Sequence, residues 1–248
     1  MKLINLNVEC GVVCEPLLEF IREQSLDIDI FCFQEVFHRG IVKRWFLGEA
    51  RPELFSEIQN ILPDFDGYFC APSEKDVGGL AVFIKKSFVV NKIENKVIFQ
   101  EMNNTTDEDD DSYFAMGRNL QSIEFNQDGK IYTVFNFHGM WVAKGKIDTK
   151  KRIEQSEKIK KIFDAIKGPR ILCGDLNLEP NTKSIEILNQ GNRNLIQEYK
   201  ITSTRSSLYK KSSKSADYVI VSPEVEVKDF KVLKDEVSNH LPLFLEFK

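Results

Sequence analysis

Short apolar runs recur along the whole chain and are separated by polar or Gly- and Pro-containing segments. Runs of about four to eight residues that are rich in Val, Ile, Leu and Phe are typical of β-strands. Several are apolar throughout, as expected for strands that are covered on both faces. We predict these strands: Leu3–Val8, Ile28–Phe33, Gly79–Lys85, Leu120–Phe125, Ile131–Phe137, Arg170–Cys173, Asp217–Val221 and Leu241–Phe247.

Apolar residues at helical spacing occur between the predicted strands. A first helix begins near Pro16, a residue favoured in the first helical turn. A second helix has its apolar residues on one face over 54–61, and a third covers 159–166 and ends at Gly168-Pro169. Strands and helices are mixed from end to end, which predicts one α/β or α+β domain.

The composition narrows the class of protein. The chain has 248 residues, of which 42% are apolar and 29% charged, so it has enough apolar material for a packed core. The net charge of −4 argues against nucleic-acid binding through bulk positive charge, but it is compatible with an enzyme that has a local basic patch. No apolar run approaches the about 20 residues that cross a bilayer, and the N-terminus does not have the pattern of a signal peptide. The five scattered cysteines argue against a disulfide framework or a zinc site. We therefore expect a single domain over 1–248 that is cytoplasmic, monomeric and not inserted in a membrane.

Residues 101–111 form a strongly acidic stretch, with six acids and no base. Consecutive acids without spacing or a Gly turn do not resemble a calcium loop. The stretch indicates a solvated surface loop, with a metal site as the alternative.

Polar side chains stand where apolar runs end, and loops carried by a rigid sheet are where active sites form. Taken singly, each has an ordinary explanation as a turn residue, a cap, a strand-end charge or a buried histidine. Their occurrence in one ordered series argues against all of these explanations holding at once. The residues are Asn7, Gln34 with Glu35, His138, Asp175 with Asn177, and His240.

Six motifs extend this series over the whole chain: Leu6-Asn7-Val8, Phe33-Gln34-Glu35, Gly79-Leu80-Ala81-Val82-Phe83, Gly174-Asp175-Leu176-Asn177, Ala216-Asp217-Tyr218-Val219-Ile220-Val221-Ser222 and Ser238-Asn239-His240-Leu241-Pro242-Leu243. In this order they resemble the motifs of the endonuclease/exonuclease/phosphatase superfamily. Its members include pancreatic deoxyribonuclease, apurinic/apyrimidinic endonucleases, neutral sphingomyelinases, inositol polyphosphate 5-phosphatases and the tyrosyl-DNA phosphodiesterase that acts on 5′ ends. The resemblance implies a four-layered α/β sandwich of the DNase I-like type, in which two mainly antiparallel β-sheets are flanked by helices. It also implies a metal-dependent hydrolase acting on phosphoester bonds.

The resemblance further implies a role for each residue of the series. Glu35 would be the main ligand of Mg²⁺ or Mn²⁺, with Asn7 ligating or orienting beside it, and hard cations prefer such oxygen ligands. Catalytic roles are implied as follows: Asp175 contacts the attacking water, Asn177 hydrogen-bonds the scissile phosphate, His240 faces the phosphate or transfers a proton, Asp217 orients His240, and His138 supports the transition state or the leaving group.

Asn239 departs from the family pattern, which has Asp before the terminal His. In relatives that Asp helps to bind or polarise the metal, and an amide is a neutral, weaker ligand for a hard cation. We therefore place Asn239 in the metal site with reduced affinity. Asn239→Asp is expected to raise activity by about one to two powers of ten.

Basic residues give the clue to the substrate. Residues 142–170 hold ten bases against four acids, and residues 200–214 hold five bases and no acid. Both stretches precede implied catalytic motifs, so they indicate basic walls beside a cleft, although a solvated helix face equally explains most of the first. A nucleic-acid substrate fits such walls.

Four residues are predicted to bind the substrate. Arg205 and Tyr209 would contact phosphate and base or sugar, and Arg118 and Asn119 would reach the cleft from the start of their strand. The leading prediction is a metal-dependent endo- or exonuclease. The alternatives are a phosphatase or phosphodiesterase for a small-molecule or lipid phosphoester, and a binding module whose catalysis is weakened by Asn239.

Overall fold

The computed structural model describes residues 1–38, 50–73, 78–99 and 117–248. The strands are β1 (Lys2–Asn7), β2 (Ile30–Phe37), β3 (Phe65–Cys70), β4 (Gly78–Lys85), β5 (Val89–Phe99), β6 (Arg118–Gln127), β7 (Lys130–His138), β8 (Arg170–Asp175), β9 (Arg193–Asn194), β10 (Asp217–Val221), β11 (Val227–Val232) and β12 (Leu243–Phe247). The helices are α1 (Cys14–Gln24), α2 (Leu54–Ile61), α3 (Lys150–Ala165), α4 (Lys183–Asn189) and α5 (Leu195–Glu198), and a 3₁₀ turn covers Glu9–Gly11. The acidic stretch 101–111 lies outside the described residues.

The strands form two six-stranded sheets with the orders β11-β12-β1-β2-β4-β3 and β5-β6-β7-β8-β10-β9. Neighbouring strands are antiparallel except for one parallel pair in each sheet, β1 with β2 and β7 with β8. A parallel pair needs a crossover connection, and here each crossover contains a helix, α1 in the first sheet and α3 in the second. The topology therefore puts one helical layer on each sheet.

Successive side chains of each strand point to opposite faces of its sheet, so one set packs against the helices and the other against the facing sheet. Phe31 and Phe33 of β2 pack in one apolar cluster with residues of α1 and α2, whereas Ile30 and Cys32 lie in the cluster that joins the two sheets. On the other side, Phe135 of β7 meets a ring of α3 with centroids 5.4 Å apart. The predicted sandwich of two face-to-face sheets between helices is confirmed.

The eight predicted strands and three predicted helices are all present, but β3, β5, β9 and β11 were not predicted. β5 is mostly exposed and carries charged residues at several positions, so it lacks the apolar run used to recognise strands. β9 has two residues and β11 is a polar edge strand. These strands bury few side chains of their own, such as Ile98 of β5 and Phe230 of β11, and are otherwise held by pairing to a neighbour.

A chain of buried amides ties the two sheets together just below the site. Gln34 Nε2 donates to Asn5 Oδ1 at 2.9 Å and to Asn136 Oδ1 at 2.7 Å. Asn136 Nδ2 in turn donates to Phe33 O at 3.0 Å and to Gln121 Oε1 at 3.2 Å. Buried amides require such partners, so these contacts fix the position of β2 against β7 of the facing sheet. Gln34 is thus a structural residue between two strands that end in the site.

In the described ranges, no helix is both long enough and apolar enough to cross a membrane. The five cysteines are all unpaired.

Candidate active site

A cleft of about 580 Å³ opens at the edge where strands of both sheets end. The pairing explains why the strand-end residues meet there. Asn7 lies opposite Gln34 across β1 and β2, and Asp175 lies opposite both His138 on β7 and Asp217 on β10. The structure therefore brings the strand-end residues of the predicted series together at one edge.

Two carboxylates share one amide at the centre of the cleft. Asn7 Nδ2 donates to Glu35 Oε1 at 2.9 Å and to Asp175 Oδ2 at 3.1 Å. The Asp175 side chain is buried, whereas the Glu35 side chain is 31% exposed. A β-bulge lies between Gln34 and Val36, and Glu35 has a positive φ of 57°. Such bulges re-aim a side chain, and this one turns the Glu35 carboxylate into the cleft.

Gly174 is required for the close approach of β7 and β8 beneath Asp175. Its φ is 151°, and a Cβ at this position would lie 1.8 Å from Phe137 O. Any other residue would force the two strands apart. The Gly-Asp order is thus explained by backbone packing.

His240 and Asp217 form a hydrogen-bonded pair in the floor of the cleft. His240 Nδ1 lies 2.8 and 2.9 Å from the two carboxylate oxygens of Asp217, and Thr204 Oγ1 donates to Asp217 Oδ2 at 2.7 Å. A carboxylate beside Nδ1 keeps the proton on that nitrogen. His240 Nε2 then faces the cleft as an acceptor and contacts Arg205 Nη1.

His138 and Asn177 complete the buried polar set. The Asn177 N–H donates to Asp175 Oδ1 at 2.9 Å, and Asn177 Nδ2 lies 3.2 Å from His138 Nε2. That imidazole nitrogen is 3.7 Å from Glu35 Oε1 and 3.8 Å from Asp175 Oδ2. His240 Nε2 lies 3.5 Å from the same Asp175 oxygen, so both histidines approach this carboxylate.

Electrostatics set the charge state of these groups. Burial alone would raise the pKa of the Asp175 carboxyl, but the groups around it, His240 and Lys146 foremost, hold that pKa below its usual range. Burial lowers the pKa of His138, and the charge of Arg118 lowers it further. At neutral pH the centre thus has an ionised Asp175 beside a neutral His138.

The donor set fits a hard divalent cation. Asp175, Asp217 and His240 offer ligand atoms that all lie within 4.8 Å of one another. However, Asp217 is already bonded to His240 Nδ1 and Thr204, so these two residues act better as a hydrogen-bonded pair than as ligands. Glu35 and Asp175 instead present carboxylate oxygens on either side of Asn7, and such oxygens suit Mg²⁺ and Mn²⁺. Asn7 donates to both, so its contacts favour the orienting role.

Glu9 is a carboxylate of the site that the sequence analysis missed. Its Oε2 accepts from the Asn239 N–H at 3.2 Å, and its Oε1 accepts from Asn239 Nδ2. Burial raises the pKa of Glu9, although the hydrogen bond from the Asn239 backbone opposes this. Glu9 lies two residues beyond Asn7 at the same strand end, which is the signal that would have found it. Asn239 also accepts from Arg205 Nη1 at 3.2 Å, so both ends of its amide are engaged.

The four predicted substrate-binding residues all line the cleft, but they differ in how free they are. Arg205 stacks on Tyr209, with its guanidinium carbon 4.0 Å from the ring centroid. Arg118 is buried and donates to the carbonyls of Gly117 and Gly139. Asn119 donates to Asn95 Oδ1 at 2.7 Å and to a cysteine sulfur at 3.1 Å. Arg205 and Tyr209 are therefore the better placed pair for contacting a substrate.

The basic stretches 142–170 and 200–214 contribute different numbers of residues to the lining of the cleft. Of the ten bases in 142–170, Lys146 alone lines the cleft in the described part of the chain, whereas Arg205, Lys210 and Lys211 of the second stretch line it. Lys211 Nζ lies 5.5 Å from the ring centroid of Trp141, another lining residue. The basic wall beside the cleft thus comes mainly from 200–214.

Arg152 is fully buried and organises the loop between β7 and α3. Its guanidinium donates to Met140 O at 2.9 and 3.1 Å, to Gly145 O at 2.8 Å and to Ile147 O at 2.6 Å. Burial lowers its pKa to about 10, which leaves the guanidinium charged at neutral pH. Arg152 therefore fixes the loop that carries Trp141 and Lys146.

Replacing Arg152 by Met is expected to lower the free energy of unfolding by about 3 to 5 kcal/mol. The change leaves three partly buried carbonyls without their donors, and each unsatisfied group costs about 1 to 3 kcal/mol before the loop relaxes. Urea unfolding of the variant checks this, with Arg22→Met as the control because Arg22 is exposed on α1. An unfolding free energy equal to that of Arg22→Met would show that Arg152 does not hold the loop.

Comparison with known proteins agrees with the fold. The model of the endonuclease/exonuclease/phosphatase family matches residues 4–240. The chain belongs to this family, whose members are hydrolases that act on phosphoester bonds. No curated protein sequence matches the chain.

Several solved structures share the fold. A family protein from Bacteroides thetaiotaomicron is 18% identical, with a TM-score of 0.77 over 100% of this chain and 97% of that one. The mannosyl-6-phosphatase Bt3783 from Bacteroides thetaiotaomicron VPI-5482 is also 18% identical, with a TM-score of 0.75 over 100% and 99%. A humanized D. rerio TDP2 with 14 mutations is 12% identical, with a TM-score of 0.74 over 100% and 98%. At these identities the likeness concerns the fold.

Proposed function

We propose that this protein is a metal-dependent phosphodiesterase that hydrolyses nucleic acid. The observation that carries the proposal is the convergence in one cleft of two different sets of groups. One set is the carboxylate centre of Glu35 and Asp175 beside His240. The other is the cationic and aromatic pair of Arg205 and Tyr209.

Glu35, Asp175 and His240 would each have a separate role in phosphoester hydrolysis. Glu35 and Asp175 would hold Mg²⁺ or Mn²⁺, which supplies charge neutralisation at a non-bridging phosphate oxygen when it is bound. Asp175 is held ionised and is therefore suited to orient an attacking water. His240 presents Nε2 to the cleft because Asp217 holds its Nδ1 proton.

Two further groups support the reacting phosphate. Asn177 Nδ2 donates to His138 Nε2 and to Gly139 O, and a phosphate oxygen would replace one of these two acceptors. Burial keeps His138 neutral, and its Nε2 accepts from the Asn177 amide, so His138 holds Asn177 in place without adding a second fixed charge.

The side wall supports nucleic acid over a simple phosphate ester. Arg205 on the Tyr209 ring and Lys211 near Trp141 pair cations with aromatic faces. Phosphates attract the cations, and bases stack on aromatic rings at about 1 to 3 kcal/mol per base. We also propose a reducing compartment for the protein, because its five cysteines form no disulfide bond.

A panel of substrates tests the proposal. We expect the wild-type protein with Mg²⁺ to cleave single- or double-stranded oligonucleotides faster than mannose 6-phosphate, glycerophosphodiesters or inositol phosphates, with kcat/KM as the measure. Faster hydrolysis of a sugar phosphate would favour the phosphatase alternative. Oligonucleotide binding without cleavage of any member would favour a binding module.

The contacts of Glu9 change the expectation for Asn239→Asp. The new carboxylate would face the Glu9 carboxylate, which now accepts from the Asn239 amide. Two carboxylates in direct contact repel each other. Asn239→Asp alone is therefore expected to give little of the gain in activity that the sequence analysis predicts. Glu9→Gln combined with Asn239→Asp is expected to be about tenfold more active than Asn239→Asp alone. The kcat/KM values of the four proteins of the cycle check this, and additive effects would show that the two side chains do not interact.

A further inference from the structure

Lys146 occupies an unusual place for a lysine. Lys146 lines the cleft but is only 9% exposed. Its Nζ has no hydrogen-bond partner among the described residues. Lysines are almost never buried without a partner, because an unpaired ammonium loses its hydration and leaves three N–H donors unused. The arrangement therefore needs either a compensating group or a ligand.

The backbone around Lys146 is fixed on both sides. Arg152 donates to the carbonyls of Gly145 and Ile147, and Lys146 O accepts from the Glu179 N–H at 2.8 Å. The backbone of Lys146 is thus held beside the cleft, and rotation of the loop towards solvent would break these bonds.

Within the described ranges, Arg205 supplies a second N–H donor without an acceptor, and it lies near the same Tyr209 ring as Lys146. Arg205 Nε is buried and also lacks a partner in the described structure. Both cations lie against one ring, with Lys146 Nζ 5.9 Å and the Arg205 guanidinium carbon 4.0 Å from the Tyr209 centroid. Two cations therefore converge from separate segments of the chain.

In the part of the chain that the structure describes, neither Lys146 Nζ nor Arg205 Nε has an acceptor. Burial lowers the pKa of Lys146, and the charge of Asp175 is the main effect that opposes this. However, its Oδ1 accepts from the Asn177 N–H and its Oδ2 from Asn7 Nδ2. A bound molecule with anionic oxygens would supply the missing acceptors.

We propose that Lys146 and Arg205 form a phosphate-binding position that takes non-bridging oxygens of the substrate phosphoester, with Tyr209 packed against both. The inference rests on the proposed function for the identity of the oxyanion, and it makes Lys146 a binding residue. A phosphate group fits because it offers several acceptor oxygens to two separated cations, and charge-assisted bonds of this kind are strong.

Binding of inorganic phosphate tests the position without catalysis or metal. We expect calorimetry in chelator to detect phosphate binding by the wild-type protein, and Lys146→Met to weaken it by about ten- to a hundredfold. Lys146→Arg should retain part of the affinity. Lys144→Met is the matched control, because Lys144 is exposed on the same loop and does not line the cleft, and it should bind phosphate as the wild type does.

A stability measurement separates a binding role from a structural one. Because Met removes an unpaired buried charge and keeps the side-chain volume, Lys146→Met is expected to have a Tm equal to or above that of the wild type without phosphate. A clear loss of stability in this variant would overturn the proposal by showing that Lys146 supports the fold.

The failure of this inference and of the proposed function can be told apart. Undetectable phosphate binding by the wild type, or equal binding by Lys146→Met, would overturn the phosphate position even if oligonucleotides are cleaved. Lys146-dependent phosphate binding by a protein that cleaves no oligonucleotide would leave the position standing and overturn the nuclease proposal.

Discussion

Glu35→Gln is expected to lower metal-dependent hydrolysis by about three powers of ten or more. Glu35 is the exposed carboxylate of the centre, and the substitution removes its charge while keeping its shape. The Asn7 Nδ2 donor can still bond to the remaining carbonyl oxygen, so the geometry of the cleft is retained. The loss of rate therefore reflects the loss of a charged oxygen ligand for a divalent cation.

Stability and metal binding separate this effect from misfolding. Gln keeps the shape of Glu35, so the unfolding free energy of Glu35→Gln is expected to stay within about 1 kcal/mol of the wild type. Mn²⁺ binding, followed by electron paramagnetic resonance, should weaken in parallel with activity. Glu53→Gln, an exposed acid just before α2, serves as the control. A Glu35→Gln protein with wild-type activity and Mn²⁺ affinity would exclude Glu35 as a ligand.

Asp217→Asn is expected to reduce kcat by about two to four powers of ten. The Asp217 carboxylate holds the proton on His240 Nδ1, and an amide nitrogen in its place would favour the other tautomer. His240 Nε2 would then present a hydrogen to the cleft instead of a lone pair. Asp217 is buried and paired in the wild type, so folding must be verified by circular dichroism.

The double variant decides whether Asp217 acts through His240. If it does, Asp217→Asn combined with His240→Ala should be no slower than His240→Ala alone, since the two side chains act as one unit. Losses that multiply would show that Asp217 contributes to catalysis by a separate route.

Apolar runs predicted the strands that matter for the site. The ends of β1, β2, β7, β8 and β10 were predictable because these strands are buried, and buried strands must be apolar. The polar edge strands, such as β5, were not predictable because they are stabilised by backbone pairing, which leaves no pattern in the side chains. The layered fold itself followed from the resemblance of the motifs.

Charge counts proved a weaker guide than strand ends. Arg152 belongs to the basic stretch 142–170, yet it is buried and bonded to loop carbonyls. Lys146, six residues earlier in the chain, lines the cleft. The sequence does not distinguish them, because burial of a cation depends on where distant carbonyls and acids are brought by the fold.

Glu9 is a second case in which the sequence alone does not reveal which residues become neighbours in the fold. The sequence revealed that Asn239 lacks the charge of the family residue, but it did not reveal that a carboxylate from another segment lies against it. Residues separated by 230 positions become neighbours only through the pairing of β12 with β1. The consequence of Asn239 for the site is therefore a property of the tertiary structure.

Cleavage of an end-labelled oligonucleotide in Mg²⁺, in chelator, and after Mg²⁺ is added back tests the central claim most directly. We predict product formation in Mg²⁺, its loss in chelator, its recovery on addition of Mg²⁺, and no recovery in the Glu35→Gln variant. Equal cleavage in chelator and in Mg²⁺, or an intact oligonucleotide under every condition, would contradict a metal-dependent phosphodiesterase of nucleic acid.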